Sequence, residues 1–434
     1  MDRVLLIPGD KAILSKMRGF DSELSQLGSK CEFIPLSEQD DFFRKTLGKR
    51  YEDLYGNSKE LTDASKSLFI FNLSKSTRRS NSFRRRIGRE ILGKFRPRDK
   101  SSFINFARYV ISRRTISNFF FLILGFLRFS DKLVYPLFRT RVVRETALLR
   151  LLLESYKPNL VVLVSSGFDN IAISLQFLKN QFGFPILYVV NNWDNPTSKM
   201  IVSKQIDFVA AWNYEQVEQI EKSNKFPRER IFVVGSPAID EAYKRRDNIA
   251  ISNRNGADLN LLYIGQQNEY DEISDILAIS RLIESRRIPY TKLIYRPHPI
   301  SQEKIKRLPG LLTVSSLLEI DRDSQIEFQK YDAIICLPST ALLEAYLFNK
   351  PTIVYIPKDS RFRTDPRTMW KYVHFNEFKK FSTFPVANSF QELSNYLSHE
   401  WDPVETCAHQ FNSIFPKFNM SFSMRLTKLV DSIL

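Results

Sequence analysis

Tyr295-Arg296-Pro297-His298-Pro299 and, further along, Leu337-Pro338-Ser339-Thr340-Ala341-Leu342-Leu343-Glu344-Ala345 are the stretches on which the fold turns. Each follows a short apolar, β-branched run, Lys292-Leu293-Ile294 in the first case and Ala333-Ile334-Ile335-Cys336 in the second. Runs of this kind read as strands of a parallel sheet covered on both faces, so each motif marks a strand's end. In open α/β sheets that edge is where ligands bind. The second motif also opens a helix with hydroxyl residues at its cap, and free backbone N–H groups with a positive dipole end favour a phosphate there.

The alternation of strand and helix continues on both sides. In the second half, 259–264 reads as a strand with Gly265-Gln266-Gln267 as its turn, 271–287 as a long helix, and 291–295 as the strand that delivers the histidine. Further strands are expected at 311–315, 333–336 and 352–356, and helices at 339–348 and 389–398. In the first half, strands are expected at 3–7, 31–35, 160–164, 185–190, 207–212 and 231–234, with helices at 144–157, 171–182 and 215–223. The pattern predicts an α/β protein of two doubly wound parallel-sheet, Rossmann-like domains facing across a cleft. The first domain spans 1–246 with a basic helical insertion at about 75–145, and a polar link covers 247–258. The second domain spans 259–420, and the amphipathic helix 421–434 is suited to crossing back onto the first.

A length of 434 residues exceeds one ordinary core, in keeping with two domains. With 43% hydrophobic and 26% charged residues and no low-complexity tract, the composition excludes disordered and fibrous classes. Cys31, Cys336 and Cys407 are scattered and odd in number, so neither a disulfide framework nor zinc-ligand spacing can be built from them. A reducing, cytoplasmic setting is expected. The apolar run at the start is too brief for a signal peptide, and the longest apolar run, 119–127, falls short of the roughly 20 residues that span a bilayer.

The formal charge is +16 and unevenly placed. Between Lys75 and Arg114 the bases include Arg84, Arg85, Arg86, Arg89, Lys94, Arg96 and Arg98, and Glu90 and Asp99 are the only acids. The aromatic run Phe119-Phe120-Phe121 follows, then more bases from Arg128 to Arg144. A solvated basic face beside a buried helix accounts for this. So does a peripheral surface for an anionic membrane at the inner face of the cell, where each base contributes about 1 kcal/mol and aromatics insert. Nucleic acid is not expected as a partner, because no nucleic-acid module is legible around the charges.

His298 lies between two prolines, which restrict the local backbone and remove donors. An imidazole so held can donate to a phosphate oxygen as charge builds on a leaving group, or it can be a packed hinge residue. Ser339 and Thr340 are candidates for phosphate binding, or simple helix caps. Gly265 and Gln266 permit close backbone approach to a ligand, and Arg296 is a further phosphate candidate. Glu344, roughly one and a half turns into its helix, is placed to reach a ribose hydroxyl or to be a surface carboxylate. A transfer to a hydroxyl also needs a base, and Asp194, Asp169 and Asp10 all follow apolar strands in the first half. Asn192 and Trp193 belong to the same loop as Asp194, where the indole could stack on a sugar. No metal cluster and no GxxxxGK[ST], GxSxG or GxGxxG motif is present, and Asp321-Arg322-Asp323 reads as a loop.

The pairing of Arg296-Pro297-His298-Pro299 with Pro338-Ser339-Thr340-Ala341-Leu342-Leu343-Glu344-Ala345 and the strand Lys350-Pro351-Thr352-Ile353 resembles the GT-B glycosyltransferase superfamily. Within it, the likeness is to bacterial surface-polysaccharide enzymes, polysialyltransferase-like capsule transferases and CDP-glycerol glycerophosphotransferases. The resemblance implies that His298-Pro299 and Ser339-Thr340 hold the phosphates of a donor nucleotide. It implies a metal-independent, cofactor-free transfer of sugar from a nucleotide-sugar donor to a glycan or lipid-linked acceptor, with inversion if the base assignment holds. A polyol-phosphate transferase with a CDP-linked donor, a nucleotide-sugar epimerase and a non-catalytic scaffold are the alternatives. The short acidic pairs that serve as acceptor-side base in the polysialyl relatives have no clear counterpart here.

Overall fold

In a computed structural model of the chain, the residues described are 1–8, 31–36, 38–39, 147–165, 181–193, 206–247, 259–266, 272–298, 316–323, 326–348, 350–357, 366–371, 385–398 and 416–434, with isolated positions 17, 23, 24, 27, 175, 178, 179, 196, 375 and 376. The basic insertion at 75–145, the strand expected at 311–315, most of the helix expected at 171–182, the link from 248 to 258, and Asp10, Asp169 and Asp194 lie outside them. The chain divides into two compact units, Met1–Pro237 with Asn419–Leu434, and Ala238–Phe418.

The first unit carries a six-stranded sheet, parallel throughout, in the order β2-β1-β3-β4-β5-β6. Its strands are β1 (Asp2–Pro8), β2 (Cys31–Ile34), β3 (Leu160–Ser165), β4 (Ile186–Val190), β5 (Phe208–Ala211) and β6 (Ile231–Val233). Helix α1 (Ala147–Tyr156) leads into β3, and α2 (Tyr214–Asn224) follows β5. Strands β3 and β4 are buried from end to end, as their unbroken apolar runs require of central strands covered on both faces. Helix α2 starts where the Asn213 carbonyl side chain accepts the Gln216 amide, and it stops at Lys225 in the left-handed conformation.

Helix α3 (Pro237–Asp247) leads into the second unit, whose strands are β7 (Asn260–Ile264), β8 (Lys292–Arg296), β9 (Leu318–Ile320), β10 (Ala333–Cys336), β11 (Thr352–Tyr355) and β12 (Val386–Ala387). Between them lie α4 (Glu272–Glu284), α5 (Ala341–Leu347) and α6 (Pro366–Trp370), and α7 (Phe390–Ser398) follows β12. All neighbours are parallel, in the order β12-β11-β10-β7-β8-β9. The chain builds outward from β7 to β9, then returns to β7's other side and builds outward again from β10. The β7–β10 boundary is therefore the topological switch point, the place where doubly wound sheets open a ligand crevice. Leu261, Tyr263, Leu293, Tyr295, Ala333 and Ile335 alternate along the strands onto one face, under Ile276, Ile279 and Ile283 of α4 and Leu393 of α7.

The fold class expected from the sequence, two doubly wound parallel α/β sheets, is the one observed. Details differ for local reasons. Helix α4 ends at Glu284, short of 287, because Arg286 turns left-handed and the Arg287 amide closes back on the Leu282 carbonyl. Helix α5 begins at Ala341, with Ser339 and Thr340 forming the turn before it. The C-terminal helix α8 (Phe422–Ile433) packs Phe422, Leu426, Leu429 and Val430 against the first sheet. Its Arg425 is buried and donates from Nε to the Val234 carbonyl at 2.6 Å, just beyond β6. Among the described residues no helix is long and apolar enough to cross a membrane.

Candidate functional site

Ile264, at the end of β7, is in register with Cys336 of β10 on one side and Arg296 of β8 on the other. The three strands end level, so the residues that follow them emerge side by side. With strands about 4.8 Å apart, the ends of β8 and β10 lie about 10 Å from each other with β7 between. His298 follows β8, Gly265 and Gln266 follow β7, and Ser339 and Thr340 follow β10. The structure brings these to one strand-end edge.

His298 is half-buried, and burial pushes its pKa below the ordinary histidine range. At neutral pH the ring is uncharged and keeps one N–H donor. On the next strand, Gly265 donates its amide to the Arg296 carbonyl at 2.9 Å, and the Gln266 side chain donates to the Pro338 carbonyl at 2.6 Å. Gln266 thus spans the switch point and ties the loop after β7 to the loop after β10.

Gly265 was expected to let a ligand approach the backbone. What approaches is the protein's own Glu272: a Cβ at Gly265 would stand 2.4 Å from Glu272 Oε2 and 3.1 Å from the Tyr295 ring. Glu272 opens α4 and is 6% exposed. Its Oε1 accepts the Gln266 amide at 2.6 Å, and its Oε2 accepts the Tyr295 hydroxyl at 2.5 Å. Burial, the largest influence, pushes its pKa up to about 7, against the two hydrogen bonds that favour the charged form. Sequence reading did not single it out. The signal was its spacing, since Glu272, Ile276, Ile279 and Ile283 share the stripe that α4 buries.

The start of α5 corrects another expectation. The amides thought free for a phosphate are closed locally: Ala341 N–H by Ser339 Oγ at 3.1 Å, Leu342 N–H by the Ser339 carbonyl at 3.2 Å, and Leu343 N–H by the Thr340 carbonyl at 3.0 Å. Thr340 makes no side-chain cap. Among the described residues, the amides of Ser339 and Thr340 themselves have no protein acceptor, and the Thr340 side chain is exposed.

Arg296 is committed elsewhere. Its guanidinium bonds Asp321 Oδ2 at 2.7 Å and the Asp323 carbonyl at 2.8 Å, and the two charged side chains of the pair are 13% and 7% exposed. Tyr331 donates to the same Asp321 carboxylate at 3.3 Å. Its charge is neutralised beside β9, so it clamps that edge in place of meeting a phosphate. Glu344 is partly exposed and accepts from Arg245 of α3 at 3.4 Å, while that guanidinium lies 5.4 Å from the Phe348 ring centre.

In the first unit, Trp193 is 1% exposed and belongs to the core, where its ring is closed to a sugar. Its loop is held by Gln216, whose amide nitrogen donates to the carbonyls of Trp193 at 3.1 Å and Asn192 at 3.5 Å, and whose Oε1 accepts the Trp212 amide at 2.7 Å. Asn192 remains half-buried at the end of β4. Among the described residues no cluster of histidine, cysteine and carboxylate groups could hold a metal ion.

No protein-family model matches the chain, and no curated protein matches it. Solved structures do. The UDP-bound MnaA of S. aureus is 15% identical, with all of this chain and 97% of that chain covered and a TM-score of 0.49. A UDP-GlcNAc 2-epimerase of Methanocaldococcus jannaschii is 14% identical over 68% of this chain and 81% of that chain, with a TM-score of 0.45. The wall teichoic acid polymerase TagF is 14% identical over 63% of this chain and 72% of that chain, with a TM-score of 0.40.

Proposed function

We propose that the strand-end edge at β7, β8 and β10 binds the phosphates of a nucleotide-linked donor, and that the chain is a GT-B-type glycosyltransferase. The observation that carries this reading is the convergence of His298, Gln266 and Ser339 on the carboxyl ends of three adjacent strands, at the switch point of their sheet. The resemblance of the same motifs to surface-polysaccharide transferases supports it. A neutral His298 donates its N–H to a phosphate oxygen and gains basicity as the departing diphosphate accumulates charge. The amides of Ser339 and Thr340 add uncharged donors on the opposite side of β7. Glu344 serves the ribose.

The acceptor is a hydroxyl of a glycan or lipid-linked saccharide, and Asp194, Asp169 and Asp10 are the candidates for the base that removes its proton. With one displacement the transfer inverts the anomeric centre. The basic stretch 75–145 serves an anionic membrane surface at the inner face of the cell.

Thermal stabilisation by UDP-, GDP-, CMP- and CDP-linked compounds identifies the donor class, because bound ligand raises the melting temperature by mass action. Labelled donor is then offered with and without acceptor glycan to wild type and to His298→Ala. Loss of transfer by a folded His298→Ala protein is the expected result. Near-normal transfer by that variant removes the mechanism, and conversion of free nucleotide sugar without acceptor makes the enzyme an epimerase.

A further inference from the structure

Glu272 lies buried beside this edge and takes no part in the chemistry above. One oxygen holds the Gln266 amide and the other holds the Tyr295 hydroxyl, while Gly265 packs directly on the carboxylate. Gln266 continues the chain of bonds to Pro338 on the far side of the switch point. The carboxylate also stands in the first turn of α4, where the positive end of a helix favours an anion. The protein has placed its own anion next to the entry point of the donor phosphates.

The titratable groups facing Glu272 are Tyr295 from β8, Cys336 from β10 and Asp275 from its own helix, with His298 neutral at the same strand end. Among the described residues none of these is a cation, and Asp275 adds like charge. With its pKa pushed up to about 7, the carboxyl is near half-protonation at neutrality. A diphosphate entering the same poorly screened space favours its protonated form further.

We propose that Glu272 is a positioning residue for the donor phosphates: it takes up one solvent proton as they bind, and as a neutral acid it still holds the Gln266 loop across the switch point. This rests on the donor-phosphate reading above. A protonated carboxyl keeps an acceptor oxygen for the Gln266 N–H and turns its own O–H toward the Tyr295 oxygen. The loop's bonds survive while the repelling charge is removed.

Calorimetric titration with UDP, GDP, CDP and CMP at pH 7, 8 and 9, in buffers of different ionisation enthalpy, tests this. These values lie above the last phosphate ionisation, at about 6, and above His298. Wild type is expected to take up close to one proton at pH 8 and to bind more weakly at pH 9 than at pH 7, by about fifty-fold at the limit of strict linkage. Glu272→Gln is expected to bind without uptake and with nearly pH-independent affinity. Tyr295→Phe removes a bond that lowers the carboxyl's pKa, so its loss of affinity is expected to shift to higher pH. Wild-type affinity that is flat over this range, or uptake that persists in Glu272→Gln, overturns the inference and leaves nucleotide binding standing. Absence of binding by wild type to all four nucleotides at pH 7 overturns the donor reading, and this inference with it.

Discussion

The side-chain amide of Gln266 donates to the backbone carbonyl of Pro338 at 2.6 Å, and this bond closes the loop after β7 onto the loop after β10. Neither residue is near the other in the chain. The bond exists because β7 and β10 are sheet neighbours ending level with each other. It sets the relative position of His298's neighbour strand and the Ser339 turn, so the candidate phosphate edge depends on it.

Gln266→Ala removes the bridge and leaves the Pro338 carbonyl without it. A cost of about 1 kcal/mol is expected for the lost bond. Nucleotide affinity is expected to fall more than stability does, because the two loops are no longer held at a common spacing. Urea denaturation and calorimetric titration of the same variant check both.

Gly265→Ala drives a methyl group toward Glu272 Oε2, to 2.4 Å if nothing moves. The carboxylate must give way, and a destabilisation of roughly 1–3 kcal/mol is expected. The double variant Gly265→Ala with Glu272→Ala is expected to cost less than the two single costs added together, since one removes the other's clash. Additive costs in a double-mutant cycle would place the strain elsewhere.

Stability should carry the signature of Glu272. Its pKa is raised from the ordinary 4.5 to about 7, so the folded state binds a proton that the unfolded chain releases between those values. The contribution is fully present below pH 4.5 and is lost as pH rises through 7, amounting to about 3 kcal/mol. The stability difference between wild type and Glu272→Gln is therefore expected to move against wild type by that order from pH 5 to pH 8. Denaturation curves at the two pH values measure it.

The Arg296–Asp321 pair is nearly buried, so removing one partner leaves the other charge uncompensated. Asp321→Leu is expected to cost about 3–5 kcal/mol. Arg296→Met with Asp321→Leu is expected to recover most of that, and to bind nucleotide about as well as wild type. Loss of nucleotide binding in a stable double variant would return Arg296 to the phosphate site.

Much of this architecture was legible because a strand buried on both faces must be apolar along its length. Leu160–Ser165 and Ala333–Cys336 announce themselves that way, and the βα alternation around them yields two sheets. Strands β9 and β12 are too short to show any period and neither was read from the sequence, while the strand expected at 311–315 lies outside the described residues. At the site, the two loop motifs were readable as strand ends. The internal closure of α5's first amides was not, because a cap is a matter of backbone dihedrals that residue types permit without specifying.

Residue periodicity dictated which segments are strands and helices, and hence that His298 and Ser339 each follow a strand. That much is local, governed by what side chains tolerate on each face. Which strands lie together is a long-range matter: β7 comes to separate β8 from β10 only through crossover connections and the packing of α4 and α7 over one face. The burial that sends Trp193 into the core, neutralises His298 and raises the proton affinity of Glu272 arises from that assembly, because desolvation depends on every atom nearby and not on neighbours in the chain.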